Sequence, residues 1–128
     1  KKEKVKSLDL EKNVKFLGQR SDANELYQAF DVFLLPSLYE GLPVVGVEAQ
    51  AAGLLCILSD DMTKETKVLE TTEFLSLSAT PTVWANILLQ SLEKYKRKDT
   101  LNEITKNCSN IQEEAHKLDE KYIEFNKR

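Results

Sequence analysis

Glu40 and Glu48, eight residues apart and separated by Gly41-Leu42-Pro43, are the side chains in this sequence best placed to do chemistry together. Glu48 stands in the apolar run Leu42-Pro43-Val44-Val45-Gly46-Val47-Glu48-Ala49-Gln50-Ala51-Ala52-Gly53. As a helix, that run is apolar nearly all round and belongs inside a layered domain, which predicts a Glu48 withdrawn from water. A buried ionised carboxylate costs roughly several kcal/mol unless it is paired or hydrogen-bonded, so something must satisfy it. Gly41 lets backbone approach a ligand, and Pro43 suits a first helical turn. A helix starting near Leu42 offers unpaired N–H groups and the positive end of its dipole, a setting for phosphate, with Gly41 and Leu42 expected to supply the amides. Glu40 can accept hydrogen bonds from sugar hydroxyls, and Glu48, two turns along, from a second pair such as those of a ribose. The ligand so described is polyhydroxylated and phosphorylated. The same spacing also fits a solvated loop carboxylate at Glu40 and a core carboxylate at Glu48 satisfied by backbone or a lysine.

The other reactive residues offer less. Asp60-Asp61 lacks the spaced-acid pattern of a metal site and reads as a turn cap before Lys64. His116 falls on the polar side of a helix, with no serine, cysteine or carboxylate set arranged for nucleophilic catalysis. Tyr39 reads as loop packing or a border of the sugar site. Cys56 and Cys108 are far apart and without metal-ligand spacing, as reduced thiols of a cytosolic protein would be.

The elements that must hold these residues alternate, β-like runs with helical patterns, which argues for a single α/β domain with a mainly parallel, doubly wound sheet. Val14-Lys15-Phe16-Leu17 reads as a strand ending at Gly18. Asp22 and Glu25 form a capping box for a helix through Phe30. Asp31 to Leu35 is apolar on both faces, as a central parallel strand should be. After the Leu42 helix come Gly53 as its stop, Leu54 to Leu58 as a buried strand and Glu73 to Leu77 as a weaker one. Thr80-Pro81 starts a helix whose face carries Trp84, Ile87, Leu88, Ser91, Leu92 and Tyr95. Thr100 and Glu103 cap another, and Ile111, Ala115, Leu118, Tyr122 and Phe125 mark the core side of a last one. Ligands of such sheets collect beyond the carboxyl ends of the strands, which is where Pro36 to Leu42 is delivered.

At 128 residues the chain can bury about two thirds of its unfolded surface and needs no staples. Hydrophobic residues at 41% and charged residues at 30% are ordinary for a soluble protein, and no apolar run approaches the ~20 residues of a membrane span. A net charge of −3 from mixed signs leaves no nucleic-acid footprint; Lys1, Lys2, Lys4 and Lys6 suit a solvated terminal helix. The start Lys1-Lys2-Glu3, without methionine, suggests an excerpt from a longer chain.

The string FDVFLLPSLYEGLPVVGVEAQAAGLLCILSD, Phe30 to Asp60, resembles the donor-binding core of retaining GT-B glycosyltransferases of family 4 (group 1), with Glu40 and Glu48 in the place of that family's E-x7-E motif. VKFLGQRSDANEL upstream, with SDDMTKE and FLSL…WA downstream, is most similar to its exopolysaccharide and capsular polysaccharide branch. The resemblance runs from about Val14 to Ala85. It implies the Rossmann-like C-terminal half of a GT-B enzyme, cytoplasmic or at the inner face of the membrane, that transfers a sugar from a nucleoside diphosphate with retention. It further implies that Glu40 holds donor-sugar hydroxyls and acts as the catalytic residue, and that Glu48 holds the ribose. The backbone of Gly41, Leu42 and Pro43 lines sugar and diphosphate, and Gly18, Gln19 and Arg20 border the base. Glu65 falls where relatives carry an acid near the donor, although a surface glutamate fits equally. No metal or other cofactor is implied, and the partners are the donor and a missing N-terminal acceptor-binding domain.

Two departures stand out. Leu54-Leu55 replaces a proline usual after the glycine that ends the helix, and the family's basic pair for the diphosphate has no equivalent here. The chain is therefore expected to bind donor without transferring sugar alone. A different class stays open, a non-catalytic α/β module such as a receiver-like or protein-interaction domain. A receiver needs acids at its strand ends and an aspartate where Leu35-Pro36-Ser37 stands.

Overall fold

In the computed structural model, which describes residues 1–41 and 43–107, three strands form a parallel sheet in the order β1-β2-β3. They are β1, Val32–Leu35; β2, Leu55–Ser59; and β3, Thr72–Leu75. Val32 pairs with Leu55 and Cys56 with Thr72 at the start of the two ladders. The helices are α1, Lys2–Ser7; α2, Ala23–Ala29; α3, Val44–Ala51; α4, Pro81–Lys94; and α5, Leu101–Asn107. This is the expected α/β, Rossmann-like architecture.

β2 is buried at every position because helices cover both faces of the sheet. On one face Cys56 and Leu58 pack with Ala49 of α3, Tyr27 of α2, Leu54 and Met62, joined by Phe33, Leu35 and Phe74. Strand side chains alternate, so Leu34 and Glu73 face the other way. There α4 docks, with Ser91 Oγ donating to Glu73 Oε1 and Trp84 Nε1 donating to Ser76 O at 3.0 Å. Each fully buried Leu or Ile on β2 contributes about 1.5–3 kcal/mol. Thr80 caps α4 as expected, accepting from Val83 N with Pro81 in the first turn.

α3 stops where the sequence says it should. Gly53, at φ +71, donates to Gln50 O at 2.8 Å, and Leu54 N donates to Ala49 O at 3.1 Å, a Schellman closure that needs no following proline. A Cβ on Gly53 would lie 2.9 Å from Lys98 O, so the residue also admits a later segment against its backbone.

Several expectations are corrected. Glu48 is exposed, not enclosed: the buried side of α3 carries Gly46, Ala49 and Gln50, and the buried polar group is Gln50, with 0% exposure. Its Nε2 donates to Gly46 O and Thr66 O, and its Oε1 accepts from Val68 N, Leu69 N and Thr72 Oγ1. Val14–Leu17 forms no strand, and Phe16 and Leu17 lie about half exposed, at 49% and 48%. A strand needs a neighbour, and no strand lies beside this segment among the described residues. β1 is an edge strand rather than a central one among the described residues, its Leu34 opening on an apolar groove of about 470 Å³ bordered by Pro36, Trp84 and Leu88. Asp22 occupies the N-cap of α2 without capping by its side chain, because that carboxylate is taken by Arg20. Thr100 turns its hydroxyl to Ala51 O at 2.8 Å, and Asp99 Oδ1 receives Leu101 N instead. Leu42, Cys108, His116 and the last amphipathic helix lie outside the described residues.

Candidate functional site

β1 ends at Leu35, and Pro36 to Gly41 carries the chain off the sheet edge to α3, so the acidic pair is positioned by one strand–loop–helix unit. Glu40 lies exposed on that loop, and its Oε1 accepts from Ser37 Oγ at 3.2 Å. Gly41 is open, with nothing within 4 Å of where a Cβ would stand. Pro43 is buried and is the N-cap residue of α3, so the helix begins at Val44. The expectation that Gly41 and Leu42 supply the first-turn amides is corrected accordingly: those amides belong to Val44 and Val45. A proline can cap only through its carbonyl, here accepting from Gly46 N at 2.9 Å.

Glu48 lies one to two turns into α3, on its exposed side. Its Oε2 accepts a hydrogen bond from the hydroxyl of Tyr27, at 3.3 Å, across the gap to α2. The two residues border a cavity of about 300 Å³ with Asn24, Gln28, Ala51 and Ala52. Burial, with the Glu48 carboxylate second, raises the Tyr27 phenol above its ordinary pKa and keeps it a donor at neutral pH. One carboxylate with one internal donor retains acceptor capacity for hydroxyls.

The third candidate group sits before α2. Gly18 takes φ +69, Gln19 and Arg20 are exposed, and Arg20 Nε donates to Asp22 Oδ1 at 2.7 Å. That hydrogen bond is the main cause holding Arg20 above its ordinary pKa and Asp22 below its own. A guanidinium so paired is fixed beside the loop rather than free. Tyr39 is 85% exposed, so it is not packed into its loop. Glu65 is exposed at the middle of a single 3-10 turn, Lys64–Thr66. Among the described residues no group of His, Cys, Asp or Glu is assembled to hold a metal ion.

Tyr27 was not among the residues expected from sequence. It lies 21 positions before Glu48 in a different element, and beside Leu26 it reads as one more apolar helix residue. Ser37, the partner of Glu40, gives no signal beyond its place in a loop.

A parallel Rossmann-like sheet, with exposed carboxylates on the loop before a helix and on the helix itself, defines an α/β protein. The profile of "Glycosyl transferases group 1" matches residues 1–108, and the chain belongs to this family. The chain is 47% identical over 90 residues, 70% of its length and 23% of the relative's, to EpsF of Bacillus subtilis (strain 168), whose name assigns it provisionally to the glycosyltransferases. It is 47% identical over 53 residues, 41% of its length and 14% of the relative's, to the UDP-Gal:alpha-D-GlcNAc-diphosphoundecaprenol alpha-1,3-galactosyltransferase of Escherichia coli. To the N,N'-diacetylbacillosaminyl-diphospho-undecaprenol alpha-1,3-N-acetylgalactosaminyltransferase of Campylobacter jejuni it is 51% identical over 47 residues, 37% of its length and 12% of the relative's. The matched stretch thus spans less than a quarter of each of these relatives, at most 23%. No solved structure matches the chain.

Proposed function

We propose that this chain is a single donor-binding domain of a retaining GT-B glycosyltransferase of family 4, a hexosyltransferase that takes its sugar from a nucleoside diphosphate. In the reaction the bond between anomeric carbon and diphosphate oxygen breaks, the acceptor hydroxyl loses its proton as its oxygen bonds to that carbon with retained configuration, and the nucleoside diphosphate and the proton are released. Glu40 receives hydroxyls of the donor sugar at the reacting end, and Glu48 receives those of the ribose. Gly41, Leu42 and Pro43 line the sugar and diphosphate, with the dipole of α3 behind them. Gly18, Gln19 and Arg20 border the base. The observation that carries this is the arrangement of the acidic pair: Glu40 on the loop leaving β1 and Glu48 on the solvent side of α3, with the helix start between them. Exposure of Glu48 removes burial as a reason for its presence and leaves its carboxylate available to a ligand.

Names among the relatives that specify undecaprenol diphosphate acceptors support a role in building a cell-surface glycan such as an exopolysaccharide, capsular or lipopolysaccharide chain. A cytoplasmic enzyme at the inner membrane face fits such acceptors. The acceptor-binding domain and the basic pair for the diphosphate belong to other parts of the enzyme, so this chain binds donor weakly and transfers nothing alone. No metal or other cofactor enters this scheme.

Ligand-observed NMR of the chain with UDP, GDP and their sugar conjugates tests the proposal. Weak binding that is lost in Glu48→Gln is expected. Binding indifferent to Glu48→Gln removes that residue from the ribose role, and sugar transfer by this polypeptide alone overturns its assignment as an inactive donor-binding part.

A further inference from the structure

We propose that Tyr27 is the positioning residue of Glu48: its phenol holds one carboxylate oxygen and so presents the other to the vicinal hydroxyls of the bound nucleotide, a role that rests on the donor-binding reading above.

A glutamate on the solvent side of a helix is free to turn about three side-chain torsions, and binding must freeze them. Tyr27 is built to limit that freedom. The residue is 7% exposed, and its ring meets Phe33 of β1 edge-on, with centroids 6.1 Å apart and planes at 81°. Its carbonyl is held by Arg97 Nη2 at 2.8 Å. A tyrosine fixed at both backbone and ring brings a hydroxyl to one place, and that place is 3.3 Å from Glu48 Oε2. The contact borders the 300 Å³ cavity between α2 and α3, so the held carboxylate stands at the edge of a space open to ligand. Tyr27 touches no reacting atom; it acts through Glu48.

Isothermal or NMR titration of the full chain with UDP and GDP, and with their 2′,3′-dideoxy counterparts, separates this role from a merely structural one. Tyr27→Phe keeps the buried ring and removes only the hydroxyl. Affinity for the ribonucleotide is expected to fall about five- to tenfold, the upper part of the range for a typical net hydrogen bond. Affinity for the dideoxy compound, which lacks the hydroxyls, stays unchanged, and so does the melting temperature to within a few degrees. Loss of both affinities in parallel, or loss of neither while Glu48→Gln discriminates the two ligands, overturns the positioning role and leaves the Glu48 assignment standing. If Glu48→Gln itself fails to discriminate them, the donor-binding reading falls and takes the role of Tyr27 with it.

Discussion

At the scale of single residues, α3 separates two polar groups that the sequence sets only two positions apart. Gln50 is fully buried and fully satisfied, whereas Glu48 is exposed with one donor. Gln50 is the structural one of the pair. It joins α3 to the segment 66–72 through both ends of its amide, satisfying Val68 N, Leu69 N and Thr72 Oγ1 from one oxygen. Replacing it by leucine of similar volume takes this partner from Leu69 N, Thr72 Oγ1 and the Thr66 carbonyl, at about 1–3 kcal/mol each. Gln50→Leu is expected to lose several kcal/mol in urea unfolding, roughly half or more of the stability of a domain this size. Glu48→Gln should change that stability by less than about 0.5 kcal/mol, as surface substitutions do. A stability loss in Glu48→Gln matching that of Gln50→Leu would show that Glu48 is a structural residue after all.

Among elements, the unexpected one is the segment from Tyr95 to Thr100, which lies across the C-terminal ends of α2 and α3. Tyr95 Oη donates to Gly53 O and Thr100 Oγ1 to Ala51 O, both at 2.8 Å. Between them Arg97 donates to the carbonyls of Tyr27, Gln28, Phe30 and Ala52. Helix ends leave such carbonyls without intrahelical donors, and the negative end of each dipole favours a cation there. Arg97→Ala should loosen α2 against α3 at a cost of about 1–2 kcal/mol, given the partly exposed site. Amide exchange should quicken in α2 more than in β2; equal acceleration everywhere would mean that Arg97 stabilises without joining these helices. None of this was legible in sequence, because Arg97 is 45 positions from Ala52 and nothing local announces the pairing. What was legible has local causes: unbroken apolar runs gave β1 and β2, a weaker run gave β3, Thr80-Pro81 gave the start of α4, and Gly53 gave the end of α3. The misreadings have causes too. α3 is apolar on nearly every side, so its sequence holds no phase and points to Glu48 as the inward residue where the fold buries Gln50. The caps at Asp22 and Thr100 were correct in residue type, yet Arg20 and Ala51 compete for those side chains. Of the site, the placement of Glu40 and the helix start was readable from E-x7-E, while Tyr27 was not, since pairing across elements is set by the fold.

For the molecule as a whole, one core both supports the candidate site and sets the response to alkali. Burial pushes the Cys56 thiol on β2 from an ordinary 9.0 up to about 12. Tyr27 and Tyr95 lie above their ordinary 10.0, with burial the leading cause in each and the charge of a Cys56 thiolate a further one. These are groups whose neutral, protonated forms the fold prefers, so their contribution is complete below the pKa of the unfolded chain and is lost as pH climbs through the folded value. From pH 9.0 toward about 12 the native state keeps a proton on Cys56 that the unfolded chain has released. The number bound in the unfolded state minus that in the native state is then negative, and stability declines by up to about 1.4 kcal/mol per pH unit for each such proton. The tyrosines join from about pH 10, steepening the decline. Denaturant midpoints measured from about pH 8 to about pH 11 should therefore fall, and Cys56→Ala, although less stable throughout for its cavity, should show a shallower slope below about pH 10. Identical slopes in the two proteins would mean that the thiol ionises in the native core as readily as in water.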